Sequence, residues 1–90
     1  MLVSRRFLVT GRVQGVGFRW FAHDAAGIEG LHGWVRNLAD GSVEVVVEGD
    51  RESVDRFEGA IRRGPSHARV EHVEVEEMPP AQRVAGFEIR

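Results

Sequence analysis

Three glycines within seven residues, Gly11, Gly15 and Gly17, separate a stretch of strand-like alternation from a stretch of helical periodicity. Before them, Phe7 to Val13 reads as a strand, with Phe7, Val9 and Val13 on one face and Leu8, Thr10 and Arg12 on the other. After them, Phe18 to about Ile28 reads as a helix whose apolar stripe is Phe18, Phe21, Ala22 and Ala25. Glycine takes positive φ without strain and lets backbone approach other groups closely. The spacing therefore predicts a tight strand-to-helix loop whose N–H groups converge. The helix adds the positive end of its dipole and its unpaired first-turn amides. Arg19 adds a planar guanidinium that fits phosphate oxygens. Together these make a candidate anion cradle. The same residues also fit an ordinary glycine-rich turn beside a surface arginine, and spacing alone leaves both readings open.

The rest of the chain supplies partners for that unit. Strand 2 is expected over about His32 to Leu38, with Val35 and Asn37 on one side and Trp34, Arg36 and Leu38 on the other. Ala39-Asp40-Gly41 has turn chemistry, so Ser42 to Glu48 returns as strand 3 of a hairpin, with Val43, Val45 and Val47 sharing a face. Asp50 is a plausible N-cap for a second helix that buries Val54, Phe57 and Ile61. Arg62 and Arg63 suit its C-terminal dipole, and Gly64-Pro65 ends it. Strand 4 is expected from about Val70 to Glu77 with Val73 and Val75 inward, and Phe87-Glu88-Ile89 reads as a short closing strand. The order βαββαβ plus that strand predicts one α+β domain over residues 1–90 of the ferredoxin-like kind. Its antiparallel sheet would carry two helices on one face.

The run Gly11-Arg12-Val13-Gln14-Gly15-Val16-Gly17-Phe18-Arg19 resembles the signature of the acylphosphatase family. The likeness continues, in order and with the family's spacing, through Gly33-Trp34-Val35-Arg36-Asn37, Asp40-Gly41-Ser42-Val43-Glu44, Gly64-Pro65 and Phe87-Glu88-Ile89-Arg90. It implies the same ferredoxin-like fold and hydrolysis of acyl phosphates. It also implies roles: Arg19 binds the phosphoryl group, Asn37 orients the attacking water, and the backbone N–H groups of Gln14, Gly15, Val16, Gly17 and Phe18 hold the phosphate oxygens. One departure concerns the end of helix 1, where Ile28-Glu29 stands in place of the relatives' usual leucine before glycine. Either Ile28 takes that core position through an altered turn, or the helix ends early; the sequence does not choose.

Composition removes other chemistries. The formal charge of −2 argues against strong, sequence-independent binding to nucleic acid. There is no lysine, hence no Schiff-base or Walker-type lysine, and no cysteine, hence no thiol catalysis, disulfide or thiolate metal site. His32, His67 and His72 lack metal-ligand spacing, and His23, one turn beyond Arg19, reads as a solvated surface histidine because nothing orients it. The acidic run Glu71 to Glu77 reads as a solvated outer face. No apolar segment is long enough to export the chain or span a membrane, so a cytoplasmic location is expected; a monomer without cofactor or metal is expected as well.

In the expected topology strands 1 and 2 run parallel with strand 3 between them. Their C-terminal ends then lie about 9–10 Å apart at one edge of the sheet, a gap that a phosphate and a water bridge. The carboxylate leaving group of an acyl phosphate has a pKa of about 4 and departs unprotonated, so no general acid is needed. Phosphoryl transfer is largely positioning and charge stabilisation, which amides and a guanidinium supply. Asn37 taken alone also fits a strand-end residue satisfying the hairpin loop. Two other classes compete. A ferredoxin-like RNA-binding module needs exposed aromatics on the central strands, but Leu8, Thr10, Arg12, Glu44, Val46 and Glu48 stand there instead. A non-catalytic accessory or regulatory domain binding phosphate-containing ligands would use much the same residues.

Overall fold

Period-two alternation and two apolar helical stripes produce the elements in the expected order. The computed structural model describes residues 1–81 and 85–90. Strands β1 (Leu2–Arg12), β2 (His32–Asn37), β3 (Val43–Asp50), β4 (Arg69–Met78) and β5 (Phe87–Ile89) form one sheet, and α1 (Phe18–Glu29) and α2 (Arg51–Arg63) complete the fold. The strand order is β4-β1-β3-β2-β5. The four longer strands pair antiparallel, as expected, and β5 joins the free edge of β2 in parallel, with Val35 opposite Ile89.

Inward residues of three strands, Phe7 and Val9, Val35, and Val43, Val45 and Val47, are fully buried. They meet Phe18, Ala22 and Ala26 of α1 and Val54, Phe57 and Ile61 of α2. The Phe7 and Phe57 rings pack at 5.9 Å, and complete burial of a phenylalanine side chain is worth about 1.5–3 kcal/mol. Arg5, on the helix-facing side of β1 and itself buried, ties sheet to helix by donating to Glu77 at 2.6 Å, Asp55 at 2.9 Å and Glu58 at 3.2 Å.

One expectation needs correction, and one inward position is less buried than its neighbours. Neither proposed ending of the first helix occurs. The chain stays helical through Glu29, and Gly30 turns left-handed at φ 68°, with the Leu31 N–H closing onto the Ala26 carbonyl. Leu31 takes the core position, and Ile28 is 83% exposed. On β4, Val73 and Val75 both face inward, opposite Val9 and Phe7, but only Val73 is buried and Val75 is 38% exposed. β4 is an edge strand, so a side chain on its inward face is covered from one flank only.

The opposite face of the sheet is polar and paired. Glu44, buried, accepts from Arg6 at 2.6 Å and from Arg36 at 2.7 Å. Burial pushes its carboxyl up, but the two guanidinium groups outweigh that and hold it below the ordinary glutamate range. Trp34, half-buried, has the guanidinium groups of Arg36 and Arg90 over its ring, their carbons 5.2 and 4.8 Å from its centroid. Two arginine guanidinium groups thus cover part of the tryptophan that the strand parity turns outward.

Candidate active site

The site lies where β1 and β2 end at the same edge of the sheet. Pairing of β1 with β3 stops at Val9 opposite Val43, and a bulge between Thr10 and Gly11 redirects the strand before the loop. Beyond Val13, which is buried, Gly15 and Gly17 both adopt left-handed conformations, at φ 72° and 78°. A side chain at either would strain the backbone, which is why this loop needs glycine there. Gly17 is also the N-cap of α1, and it offers no side-chain acceptor to the first turn. Among the described residues, none of the N–H groups of residues 14–20 donates to a backbone carbonyl or a side chain. The first helical bond in this turn runs from the Phe21 N–H to the Gly17 carbonyl. No acidic residue stands in that turn to balance the positive end of the helix, and Arg19 adds a further positive charge.

Asn37 closes the opposite side. It ends β2 opposite Val43 and is half-buried. The hairpin turn beyond it is satisfied by other residues: Asp40 accepts from the Ser42 N–H at 2.9 Å and from its hydroxyl at 2.5 Å, which holds the Asp40 carboxyl below the ordinary aspartate value. Gln14 donates into the same turn, to the Leu38 and Ser42 carbonyls. The Asn37 side chain makes no hydrogen bond to another described residue.

A cavity of about 90 Å³ joins the two sides, lined by Val13, Gln14, Gly15, Gly17, Phe18, Arg19, Trp20 and Asn37. Sites that enclose a whole small molecule usually measure roughly 300–1,000 Å³, so this one is on the scale of a phosphoryl group and a water. Of the seven residues that the sequence marks out, six line it. Val16 does not; its side chain packs against the core. Arg19 is exposed at the cavity, and its Nη1 donates to the backbone oxygen of Arg90 at 3.3 Å, so the residue after β5 braces the guanidinium. Two residues carry more than the sequence reading gave them. Trp20 lines the cavity, and its place just after Arg19 and outside the apolar stripe of α1 was the available signal. The Gln14 side chain has a structural engagement where only its backbone N–H was expected to act. Larger cavities of about 210 Å³, by Trp34 and Met78, and about 430 Å³, between Ile28 and Arg56, involve none of the loop residues.

His23 lies edge-on to Trp20 and to Phe87, with ring centroids 5.6 and 6.1 Å away, and its Nδ1 is 3.3 Å from an Asp24 oxygen. It does not line the cavity. Among the described residues no three histidine or carboxylate side chains converge as metal ligands do, and no helix is long and apolar enough to cross a membrane.

Comparison with known proteins gives the family of the chain. The family model described as Acylphosphatase matches residues 5–89. The chain is 51% identical over 86 residues to an acylphosphatase of Koribacter versatilis, covering 96% of this chain and 78% of that one. It is 55% identical over 82 residues to an acylphosphatase of Pseudomonas paraeruginosa, covering 91% and 89%. Among solved structures, the crystal structure of acylphosphatase from Bacillus subtilis superposes with a TM-score of 0.94 at 38% identity, covering all of this chain and 99% of that one. The chain belongs to the acylphosphatase family.

Proposed function

We propose that this protein hydrolyses the carboxyl–phosphate bond of acyl phosphates, giving a carboxylate and inorganic phosphate. The observation that carries this reading is the convergence of the uncapped start of α1, Arg19 and Asn37 on one small cavity. The backbone N–H groups of Gln14, Gly15, Val16, Gly17 and Phe18 and the Arg19 guanidinium hold the phosphoryl oxygens. They are set before substrate arrives, so charge spreading over those oxygens in a loose transition state meets donors that need no reorganisation. Asn37 orients a water on the side opposite the leaving group. The water oxygen bonds to phosphorus as the bond from phosphorus to the acyl oxygen breaks, and the carboxylate keeps that electron pair. An amide is not a base, so the water's proton passes to a phosphoryl oxygen and the products are a carboxylate and dihydrogen phosphate.

The scheme requires no metal, and a carboxylate leaving group with a pKa of about 4 requires no general acid. Alkoxide leaving groups do require one, so phosphate monoesters are poor substrates. The cavity holds the phosphoryl end alone, so the acyl part lies outside it. The protein acts on this small molecule as a cytoplasmic monomer, without nucleic acid. Turnover of benzoyl phosphate in excess chelator is the test. Hydrolysis is expected at the rate seen without chelator. No hydrolysis in either condition favours the accessory-domain reading, and activity restored by Mg²⁺ or Zn²⁺ overturns the metal-free scheme.

A further inference from the structure

The cradle and Asn37 belong to strands that are not neighbours, since β3 lies between β1 and β2. The β1–β3 ladder ends at Val9 opposite Val43, well before the loop. Among the described residues no backbone hydrogen bond joins the 13–17 segment to the 37–42 segment. The Gln14 side chain makes that link. Its Nε2 donates to the Leu38 carbonyl at 2.8 Å and to the Ser42 carbonyl at 2.9 Å. Both partners are carbonyl oxygens, so only the NH₂ end of the amide can face them. Both carbonyls are already fixed within the turn, Leu38 by the Gly41 N–H at 3.2 Å and Ser42 by the Leu38 N–H at 2.9 Å. Gln14 therefore fills second lone pairs on a preformed turn. It stands one residue before Gly15 on the cradle side and grips one residue after Asn37 on the other.

We infer that Gln14 is a positioning residue for the proposed hydrolysis: its side-chain amide sets the distance between the phosphate cradle and the Asn37 side chain. The role rests on the function proposed above. Loss of the two donors leaves the cradle able to bind phosphate but lets the hairpin, and the water that Asn37 orients, drift from the line of attack. Misplacement on the scale of 1 Å is enough to cost about 10²-fold in rate.

The test uses wild type, Gln14→Leu, Gln14→Glu, Asn37→Ala and the Gln14→Leu/Asn37→Ala double variant, with benzoyl phosphate as substrate and inorganic phosphate as competitive inhibitor. Circular dichroism and thermal melting establish that each is folded. Gln14→Leu is expected to lower kcat about 10–10²-fold while the phosphate inhibition constant stays within about threefold of wild type. In the Asn37→Ala background the same substitution should change kcat by no more than about twofold, because its effect runs through Asn37. Gln14→Glu places acceptors against two carbonyls and should fall further at neutral pH. It should then recover relative to Gln14→Leu as pH drops through the carboxyl range, where a protonated acid donates one bond again.

An inactive wild type overturns the functional reading and this role with it. An active wild type overturns the positioning role alone in three cases: if Gln14→Leu keeps wild-type kcat, if phosphate inhibition weakens as much as kcat falls, or if the two substitutions act additively. The Gln14→Glu variant decides the case where Gln14→Leu fails to fold, because a flat pH ratio to wild type also overturns the role.

Discussion

The two helices of this fold begin in opposite ways. At the start of α2, Asp50 accepts from the Glu52 N–H at 3.3 Å and from the Met1 ammonium at 3.0 Å, and Glu52 places a carboxylate in the first turn. The amides of Arg51 and Glu52 have partners in the protein itself, and the acid of the first turn complements the dipole. At the start of α1 there is a left-handed glycine, no capping side chain, no acid, and an arginine where the dipole disfavours one. Both helices bury comparable apolar stripes on the same sheet. The difference is therefore not a general weakness of one helix; at the N-terminal end it lies in the cap and the first turn. A turn of this kind suits an anion carrying several oxygens. The local rule is broken in the loop that lines the small cavity.

Removing the cation from the open turn is the sharpest way to break this comparison. Arg19→Gln is expected to lower turnover by about 10³-fold or more. In wild type, phosphate at one hundred times its Kd adds about 2.7 kcal/mol of stability, which raises Tm on the order of ten degrees in a domain of this size. Most of that rise should vanish in the variant, while its Tm without phosphate stays at or above the wild-type value. Melting curves with and without phosphate check both halves. A folded Arg19→Gln that turns over normally removes the central role.

A smaller loss is expected at the neutral side of the site. Asn37→Ala should reduce kcat by about 10²–10³-fold, the usual loss for one preorganised polar group. Phosphate inhibition should stay close to wild type, since the amide loop and Arg19 remain. The hairpin turn is held by Asp40 and Gln14, so Tm should change little. A fall in Tm with normal turnover of the folded fraction would reassign Asn37 to the turn.

The closed helix start gives the smallest effect and the complement of the first test. Asp50→Ala removes a cap, so Tm should fall by roughly several degrees with kcat unchanged. The bond from the Met1 ammonium, then that from the Glu52 N–H, holds the Asp50 carboxyl below the ordinary aspartate value. A depressed folded pKa gives stability that is present above the unfolded value of about 4 and lost as pH falls through the folded one. The Tm gap between wild type and Asp50→Ala should therefore be full at pH 7 and narrow below about pH 4. A gap that does not change with pH removes the charged part of the cap's contribution.

Much of this site was legible in the residues themselves, because its parts are local. Three glycines between an alternating strand and a periodic helix already require a turn with left-handed positions, and the first helical turn after them must present unpaired amides. What the residues could not give is which parts meet. Asn37 fits a turn residue as well as a water ligand, and that the turn is held by Asp40 and Gln14 instead is not readable from the residues. Gln14 read as one more backbone N–H, because its two carbonyl partners lie 24 and 28 positions away.

The sequence by itself determined the elements, their order, the inward faces of the central strands and the stop of α2 at Gly64. Each of these follows from neighbours a few residues apart, through periodicity, capping and the freedom of glycine. Only the tertiary structure decided that Leu31 rather than Ile28 enters the core, that Val75 is exposed at an edge, that β5 pairs in parallel with β2, and that Arg90 braces Arg19. Those outcomes depend on which strand lies beside which and how far a helix runs before its cap. Such choices are made by the burial of the whole chain, so no local stretch of residues can carry them.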